Sequence, residues 1–244
     1  MNFATIMKAG VGVFASATML FSCTKDNGNT GRAIEDRDLS NKANVQVINS
    51  TLGSQRTFVY ADGQRLNGAA LIYTNSTTNT GSGLTYALEP GLRSFMVRDT
   101  LGTSVQPVLT FAEDFQANQK YTIFLYDTMR TIKQKTVLNQ IETPDPQTAH
   151  LRFANFVWAK NATLPNVDVF SKKLNQNIFT DVPYTDVTGF IAHPFGADSL
   201  FVRQTGMAAN LASVAINPLP QEIYTLVYRG GGAFTRSVGV FENH

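Results

Sequence analysis

Polar and apolar side chains alternate along several short segments of this chain. Asn and Gln alternate with Val between 44 and 49, and the same period of two recurs at 150–153. That period places successive side chains on opposite faces of a β-strand. Further segments rich in Val, Ile, Thr and aromatic residues lie at 58–61, 94–98 and 121–126, with counterparts in the second half. These compositions predict more strands.

The second half of the chain repeats the first. Asn49 recurs as Asn155, Arg98 as Arg203 and Tyr121 as Tyr224, at a separation that shortens slightly along the chain. Small differences in loop length between two copies of one unit produce such a drift. Two prolines at 144 and 146 interrupt regular structure between the copies. We therefore predict two domains, at 42–143 and 147–244.

Turn residues separate the predicted strands, and no segment beyond residue 22 shows a helical period bounded by caps. Seven or eight short strands in about 100 residues are typical of a β-sandwich. The expected fold is all-β: two tandem immunoglobulin- or transthyretin-like β-sandwich domains.

The N-terminus is typical of an exported protein. Lys8 precedes an uncharged run from 9 to 21, which is too short to span a bilayer as a helix and fits a signal peptide over 1–22. The run ends in Leu20-Phe-Ser-Cys23, which resembles a bacterial lipobox. We expect Cys23 to be lipidated and to become the mature N-terminus; the alternative is an ordinary signal peptide followed by a buried cysteine.

The segment 23–41 is polar and lacks apolar periodicity, so we expect it to be a flexible tether. With a lipid at Cys23, it would hold the domains at the outer membrane. Lys25 and Asp26 resemble a weak form of a surface-export signal. The sequence does not decide whether the protein lies on the periplasmic face of the outer membrane or on the cell surface.

A family resemblance rests on short motifs in the second repeat. They are Leu151–Asn155, Val167–Phe170, Val182–Phe190, Ser199–Arg203 and Tyr224–Tyr228. The chain resembles the bacterial domain of unknown function 4397, often present as two copies in Bacteroidetes lipoproteins. The resemblance covers about 200 of the 244 residues. It implies an extracytoplasmic β-sandwich with no established activity or catalytic residues.

Composition argues against several functions. Lys and Arg total 20 against 18 acidic residues, and no basic run is present, so we expect no nucleic-acid partner. A single Cys excludes an intrachain disulfide. The three His residues have no metal-ligand spacing, so we predict no metal and no cofactor.

Catalytic motifs are not evident either. The chain has no Gly-x-Ser-x-Gly turn, and its His/Asp/Ser cluster, at His193, Asp198 and Ser199, is interpreted as coincidence. We predict that the protein is not an enzyme and has no catalytic residues.

Several residues are candidates for contact or modification. Trp158 could stack on a sugar ring, or could cover the open end of a sandwich core. Asn49 and Asn155 are expected to fix turns, with ligand binding as the alternative. Three Asp-Ser/Thr-aliphatic triplets resemble acceptors for O-glycans, with attachment at Thr100, Thr128 or Ser199.

Together these features predict a non-enzymatic, lipid-anchored cell-envelope protein that presents two β-sandwich interaction modules in a structural or adhesive role. Its expected partners are the membrane, through the lipid, and an envelope glycan or protein. The alternative is a carbohydrate-binding accessory lipoprotein of a polysaccharide-uptake system.

Overall fold

Segments of alternating side-chain burial form strands throughout the described part of the chain. The computed structural model describes residues 40–73, 85–101, 107–160 and 163–243, and these residues form sixteen strands and no helix. The strands are β1 Ala43–Asn49, β2 Thr57–Ala61, β3 Gln64–Arg65, β4 Tyr86–Leu88, β5 Gly91–Asp99, β6 Leu109–Phe115, β7 Lys120–Tyr126, β8 Lys133–Leu138, β9 Thr148–Asn155, β10 Val167–Ser171, β11 Gln176–Val182, β12 Ile191–Pro194, β13 Asp198–Gln204, β14 Asn210–Ile216, β15 Ile223–Gly231 and β16 Phe234–Asn243. The predicted all-β fold is confirmed.

The sixteen strands form four sheets of four, two from each half of the chain. The first half has the orders β4-β1-β7-β8 and β3-β2-β5-β6, and the second half has β12-β9-β15-β16 and β11-β10-β13-β14. The two halves therefore share one topology, strand for strand. In each, the first strand pairs in parallel with the seventh, and the other neighbours pair antiparallel. This order differs from the ABED and CFG sheets of a constant immunoglobulin domain.

Each half buries an apolar core between its two sheets. In the first, side chains such as Val47 and Ile123 pack against Phe95 and Val97 of the facing sheet. In the second, Leu151, Phe153 and Leu226 pack against Leu200 and Val202. Burial of such side chains contributes about 1.5–3 kcal/mol each.

A third apolar cluster joins the two sandwiches. Ile48 and Phe124 of the first sandwich pack with Phe156, Val227 and Phe241 of the second. These residues lie on the outer faces of the β1 and β9 sheets, so those two sheets pack face to face. Strands β1, β7, β9 and β15 are thus buried on both sides.

Polar side chains complete this contact, in a set that we call the interface network: Gln46, Thr122, Asn139, Arg152, Thr225 and Asn243. Arg152 donates to Thr225 Oγ1 at 2.7 Å within its own sandwich. It also donates to Asn139 Oδ1 at 2.7 Å and to Thr122 Oγ1 at 2.6 Å in the other sandwich. Asn243 donates to Gln46 Oε1. Hydrogen bonds therefore cross the interface beside the apolar cluster.

Candidate binding cleft

A cleft lies at one end of the paired sandwiches, and the chain enters at the other end. Asn44, near the start of β1, donates from its backbone to Gln119 O, just before β7. Asp127 immediately follows β7, and Trp158 follows β9 by three residues. The cleft forms where these two strands end.

The cleft has a volume of about 650 Å³ and draws its walls from both sandwiches. Its described lining consists of Asp127, Thr131, Lys133, Trp158, Ala159, Lys160, Thr163, Leu164, Asn166, Pro183 and Tyr184. We call it the Trp158 cleft. Two aromatic rings therefore lie among hydroxyl, amide, carboxylate and ammonium groups.

Trp158 is half-buried and closely fitted to a glycine turn. Its backbone N–H donates to Gly230 O at 2.8 Å. A Cβ atom added at Gly232 would lie 2.8 Å from the indole ring, and one added at Gly231 would lie 1.9 Å from Trp158 O. Both glycines also have left-handed backbone angles, with φ of 112° and 62° for Gly231 and Gly232. This close approach fixes the indole in the cleft wall.

Asp127 organises the opposite wall. Its φ is 75°, a turn conformation that Asp tolerates better than most residues. One carboxylate oxygen accepts from Thr128 N at 2.7 Å and Thr131 Oγ1 at 2.9 Å. The other lies 2.8 Å from Lys133 Nζ, and this hydrogen bond raises the pKa of Lys133. The ammonium is therefore charged at neutral pH, and a fixed anion and cation lie side by side.

Tyr184 supplies the second aromatic ring of the cleft. It packs edge-on against Tyr126, with ring centroids 6.4 Å apart. Burial, and next the charge of Asp127, raise the pKa of Tyr184, so its hydroxyl remains protonated. Nearby, Asn166 Nδ2 donates to Asp181 Oδ1 at 2.9 Å. An aromatic face with oriented donors and acceptors is suited to hydroxyl-rich ligands.

The remaining sequence-predicted residues lie elsewhere. Cys23 and almost all of the 23–41 segment lie outside the described residues. Thr100, Thr128 and Ser199 are each half-buried. The Asp before each makes backbone hydrogen bonds: Asp99 accepts from Leu101 N, Asp127 from Thr128 N, and Asp198 from Ser199 N. Turn formation by the aspartates thus gives these triplets a structural role as well.

His193 and Asp198 are buried, and with Ser199 they do not have the geometry of a catalytic triad. Asp198 accepts from Ser171 Oγ at 2.5 Å and from Lys173 N at 2.8 Å. His193 Nε2 is 3.3 Å from Asp198 Oδ2, without hydrogen-bond geometry, and the ring is fully buried. A triad requires the base to bond the nucleophile. Here the serine hydroxyl that bonds Asp198 is that of Ser171, whereas Ser199 bonds Asp198 only through its backbone N–H, and neither ring nitrogen of His193 bonds a described group.

The described ranges contain neither a metal-binding cluster nor a membrane-spanning helix. No three His, Cys, Asp or Glu side chains there are grouped closely enough to hold a metal ion. Nor does this part of the chain contain a helix of the length and hydropathy needed to cross a bilayer.

Comparisons with known proteins give little further information. No family model matches the chain, and no curated protein matches it. The Bacillus anthracis TIE protein aligns at a TM-score of 0.24 and 11% identity, over 77% of this chain and 34% of that one. CBMbc, a family CBM26 module from Eubacterium rectale Amy13K solved with maltoheptaose, aligns at a TM-score of 0.25 and 8% identity, over 83% of this chain and 97% of that one.

The chain thus spans about a third of the length of the first of these structures. Both alignments are too loose to support an argument about function. The resemblance to domain of unknown function 4397 remains an expectation from the motifs.

Sequence reasoning found Trp158 but missed the groups around it. Asp127 and Lys133 lie in the first repeat and Tyr184 in the second, and only the packing of the sandwiches brings them together. The one local signal in the sequence is the run Gly230–Gly232, whose composition is typical of a turn.

Proposed function

We propose that this protein is a non-enzymatic, lipid-anchored envelope protein that contacts a glycan through the Trp158 cleft. The observation that supports this proposal is the fixed indole of Trp158 in an open cleft that also holds Tyr184, Asp127 and Lys133. Sugar rings present apolar C–H faces and hydroxyl edges. An aromatic face surrounded by charged and polar groups matches both.

The position of the cleft suits display from a membrane. The described chain begins at residue 40, at the end of the sandwiches opposite the cleft. A lipid at Cys23 would attach through the predicted tether before residue 40, which leaves the cleft end of the sandwiches free. This arrangement supports an adhesive role, in which the bound glycan belongs to the envelope or to a neighbouring surface.

The single tryptophan makes the glycan proposal directly testable. The full chain, purified in detergent, is titrated with soluble polysaccharide from the host envelope while tryptophan fluorescence is recorded. We expect a saturable change in intensity or wavelength, because all of the emission comes from the cleft. Titration calorimetry should show that Trp158→Ala weakens binding at least tenfold.

Phe195→Ala is the matched control, since Phe195 is an aromatic residue that is 41% exposed and lies outside the cleft lining. It should bind like the wild type. Equal losses in both variants, or binding that survives Trp158→Ala, would contradict the proposal. Circular dichroism confirms that each variant is folded.

The anchor is tested separately by metabolic labelling with palmitate. The wild type should incorporate label, and Cys23→Ala should not. Label that persists in Cys23→Ala would refute the lipid anchor without bearing on the cleft. Protease treatment of intact cells then distinguishes surface display, with rapid loss of the protein, from a periplasmic position.

A further inference from the structure

A second cavity lies on the other side of the molecule, beside the peptide that connects the two sandwiches. It has a volume of about 400 Å³ and is walled by the end of β8, by Ile141 and Glu142 of the connection, and by His150, Arg152 and Phe190 of the second sandwich. We call it the Arg152 cavity. It shares no residue with the Trp158 cleft.

Arg152 brings an unbalanced positive charge to this cavity. The residue is only 1% exposed, and no ion pair joins it to a carboxylate within the described ranges. Burial lowers the pKa of Arg152 to about 9, which leaves the guanidinium charged at neutral pH. A buried cation without a counter-ion is unfavourable, and an anion beside it would relieve that cost.

The guanidinium also retains hydrogen-bonding capacity. It has five N–H groups, and three of them are satisfied by Thr225, Asn139 and Thr122. These three acceptors are neutral. Nη1 and Nη2 each keep one N–H for which no described group is an acceptor. Such a pair of donors suits the two oxygens of a carboxylate.

The other cavity walls indicate the rest of the ligand. His150 Nδ1 is buried without a hydrogen-bond partner. Phe190 lies 4.7 Å from the guanidinium, measured to the ring centroid, and presents an aromatic surface with Ile141 nearby. Glu142, by contrast, is exposed at the cavity, and it would repel a multiply charged anion more strongly than a singly charged one. The cavity thus combines one buried cation with an apolar wall at Phe190 and Ile141 and with polar groups at His150 and Glu142.

We propose that the Arg152 cavity binds a small organic monocarboxylate, with the carboxylate on Arg152 and the apolar body against Phe190 and Ile141. The bound carboxylate would accept hydrogen bonds from Nη1 and Nη2. A single negative charge balances the one cation, whereas phosphate would bring more charge than the site can neutralise.

The probe is benzoate, with benzamide as its neutral isostere and inorganic phosphate as a second anion. Thermal unfolding and calorimetry of the full chain in detergent are measured at constant ionic strength. We expect benzoate to bind saturably and to raise the melting temperature. Benzamide should bind at least tenfold more weakly, and phosphate should have no effect beyond that of chloride.

A cavity-filling variant tests the location without removing Arg152, which also holds the interface together. Gly189 lines the cavity, has no heavy atom within 4 Å of an added Cβ and lies outside the left-handed region. Gly189→Leu should therefore fold and weaken benzoate binding at least tenfold. Gly68→Leu is the matched control, because Gly68 has the same freedom and lies outside the cavity lining.

Four results would overturn the proposal: no benzoate binding, equal binding of benzamide, a preference for phosphate, or unchanged binding in Gly189→Leu. Trp158→Ala should bind benzoate normally. A loss in that variant would also contradict the assignment, since it would place the ligand in the other cleft.

Discussion

At the scale of single residues, the position of Trp158 depends on two glycines, Gly231 and Gly232, because neither has a side chain. The indole and its carbonyl approach the backbone of Gly231 and Gly232 so closely that a methyl group would not fit at either. The sequence shows a glycine run at 230–232, which is typical of a turn, and a tryptophan at 158. It could not reveal that one supports the other, because 73 residues separate Trp158 from Gly231.

Gly231→Ala should therefore displace Trp158. We expect the free energy of unfolding to fall by about 1–3 kcal/mol, because the new Cβ would overlap Trp158 O. Tryptophan fluorescence should shift to longer wavelength as the indole becomes more exposed. Gly63→Ala is the control for backbone strain alone: Gly63 also has a positive φ, of 77°, but nothing lies within 4 Å of an added Cβ. A fluorescence shift in that variant would show that strain, not the clash, is responsible.

Asn49 and Asn155 occupy equivalent positions in the two repeats but have different hydrogen-bond partners. Both are fully buried. Asn49 accepts from Thr51 N and donates to Ser54 Oγ, in the loop that follows β1. Asn155 donates to Val182 O. The prediction that Asn49 fixes its own turn is confirmed, while Asn155 bonds a more distant strand.

His193 should make stability depend on pH. Burial lowers its pKa below the ordinary 6.5, although the charge of Asp198 acts in the opposite direction. The unfolded chain then binds more protons than the folded one between the two pKa values. Unfolding free energy is therefore at its full value above pH 6.5 and declines as the pH falls towards the lowered pKa.

The matched variant is His193→Leu, because the equivalent position of the first repeat is Leu88. Urea unfolding one unit above and one unit below pH 6.5 should show a smaller difference for this variant than for the wild type. An identical difference in the two proteins would exclude His193 as the cause.

At the scale of elements, the period of two predicted β1 and β9 correctly but not what covers each face. The alternation at 44–49 is typical of a strand with one solvent face. In the structure, Gln46 is 2% exposed and Arg152 is 1% exposed. A polar side chain in an alternating pattern can face water or another polar surface, and a local pattern does not distinguish the two.

Arg152→Met should show how strongly the interface network stabilises the protein. The variant keeps much of the apolar volume but removes one hydrogen bond each from Thr122, Asn139 and Thr225. We expect the unfolding free energy to fall by about 2–4 kcal/mol, since buried groups that lose partners cost more than exposed ones. Removal of the buried charge itself offsets part of this loss.

Arg203→Met is the comparison, because Arg203 is only half-buried and stacks on Phe170 at 4.0 Å on an outer sheet. Denaturant unfolding should place its cost below about 1 kcal/mol. Similar costs for the two variants would show that the interface network adds no special stability.

At the scale of the whole molecule, the repeat in the sequence predicted that one topology occurs twice, and the strand orders agree. The contact between the copies was not predicted. Its apolar residues, such as Ile48, Phe124 and Val227, are of the same types as those in any sandwich core, so the sequence does not distinguish them. The Trp158 cleft and the Arg152 cavity both depend on that contact, so their full linings lay beyond sequence reasoning.

Limited proteolysis should show that the two sandwiches remain associated after the chain between them is cleaved. The connection near Thr143 and Asp145 is exposed and lies outside any strand. After the 23–41 tether is removed, we expect cleavage there to yield two fragments on a denaturing gel. The fragments should still elute together in gel filtration, because the interface network and apolar cluster join them. Separate elution would mean that the connection alone holds the sandwiches together.

The interface network pairs equivalent residues of the two repeats. Gln46 matches Arg152 and Thr122 matches Thr225 in strand register, and Asn139 matches Asn243. Arg152 bonds Asn139 just as Gln46 bonds Asn243. In a two-fold homodimer, residue i of one copy contacts residue j of the other, and residue j of the first copy contacts residue i of the second. The chain thus has the form of a dimer joined into one polypeptide, and each half alone would expose a surface complementary to itself. Arg152 occupies the position that Gln46 holds in the other half, so one side of the interface carries a buried positive charge where the equivalent side has a neutral amide.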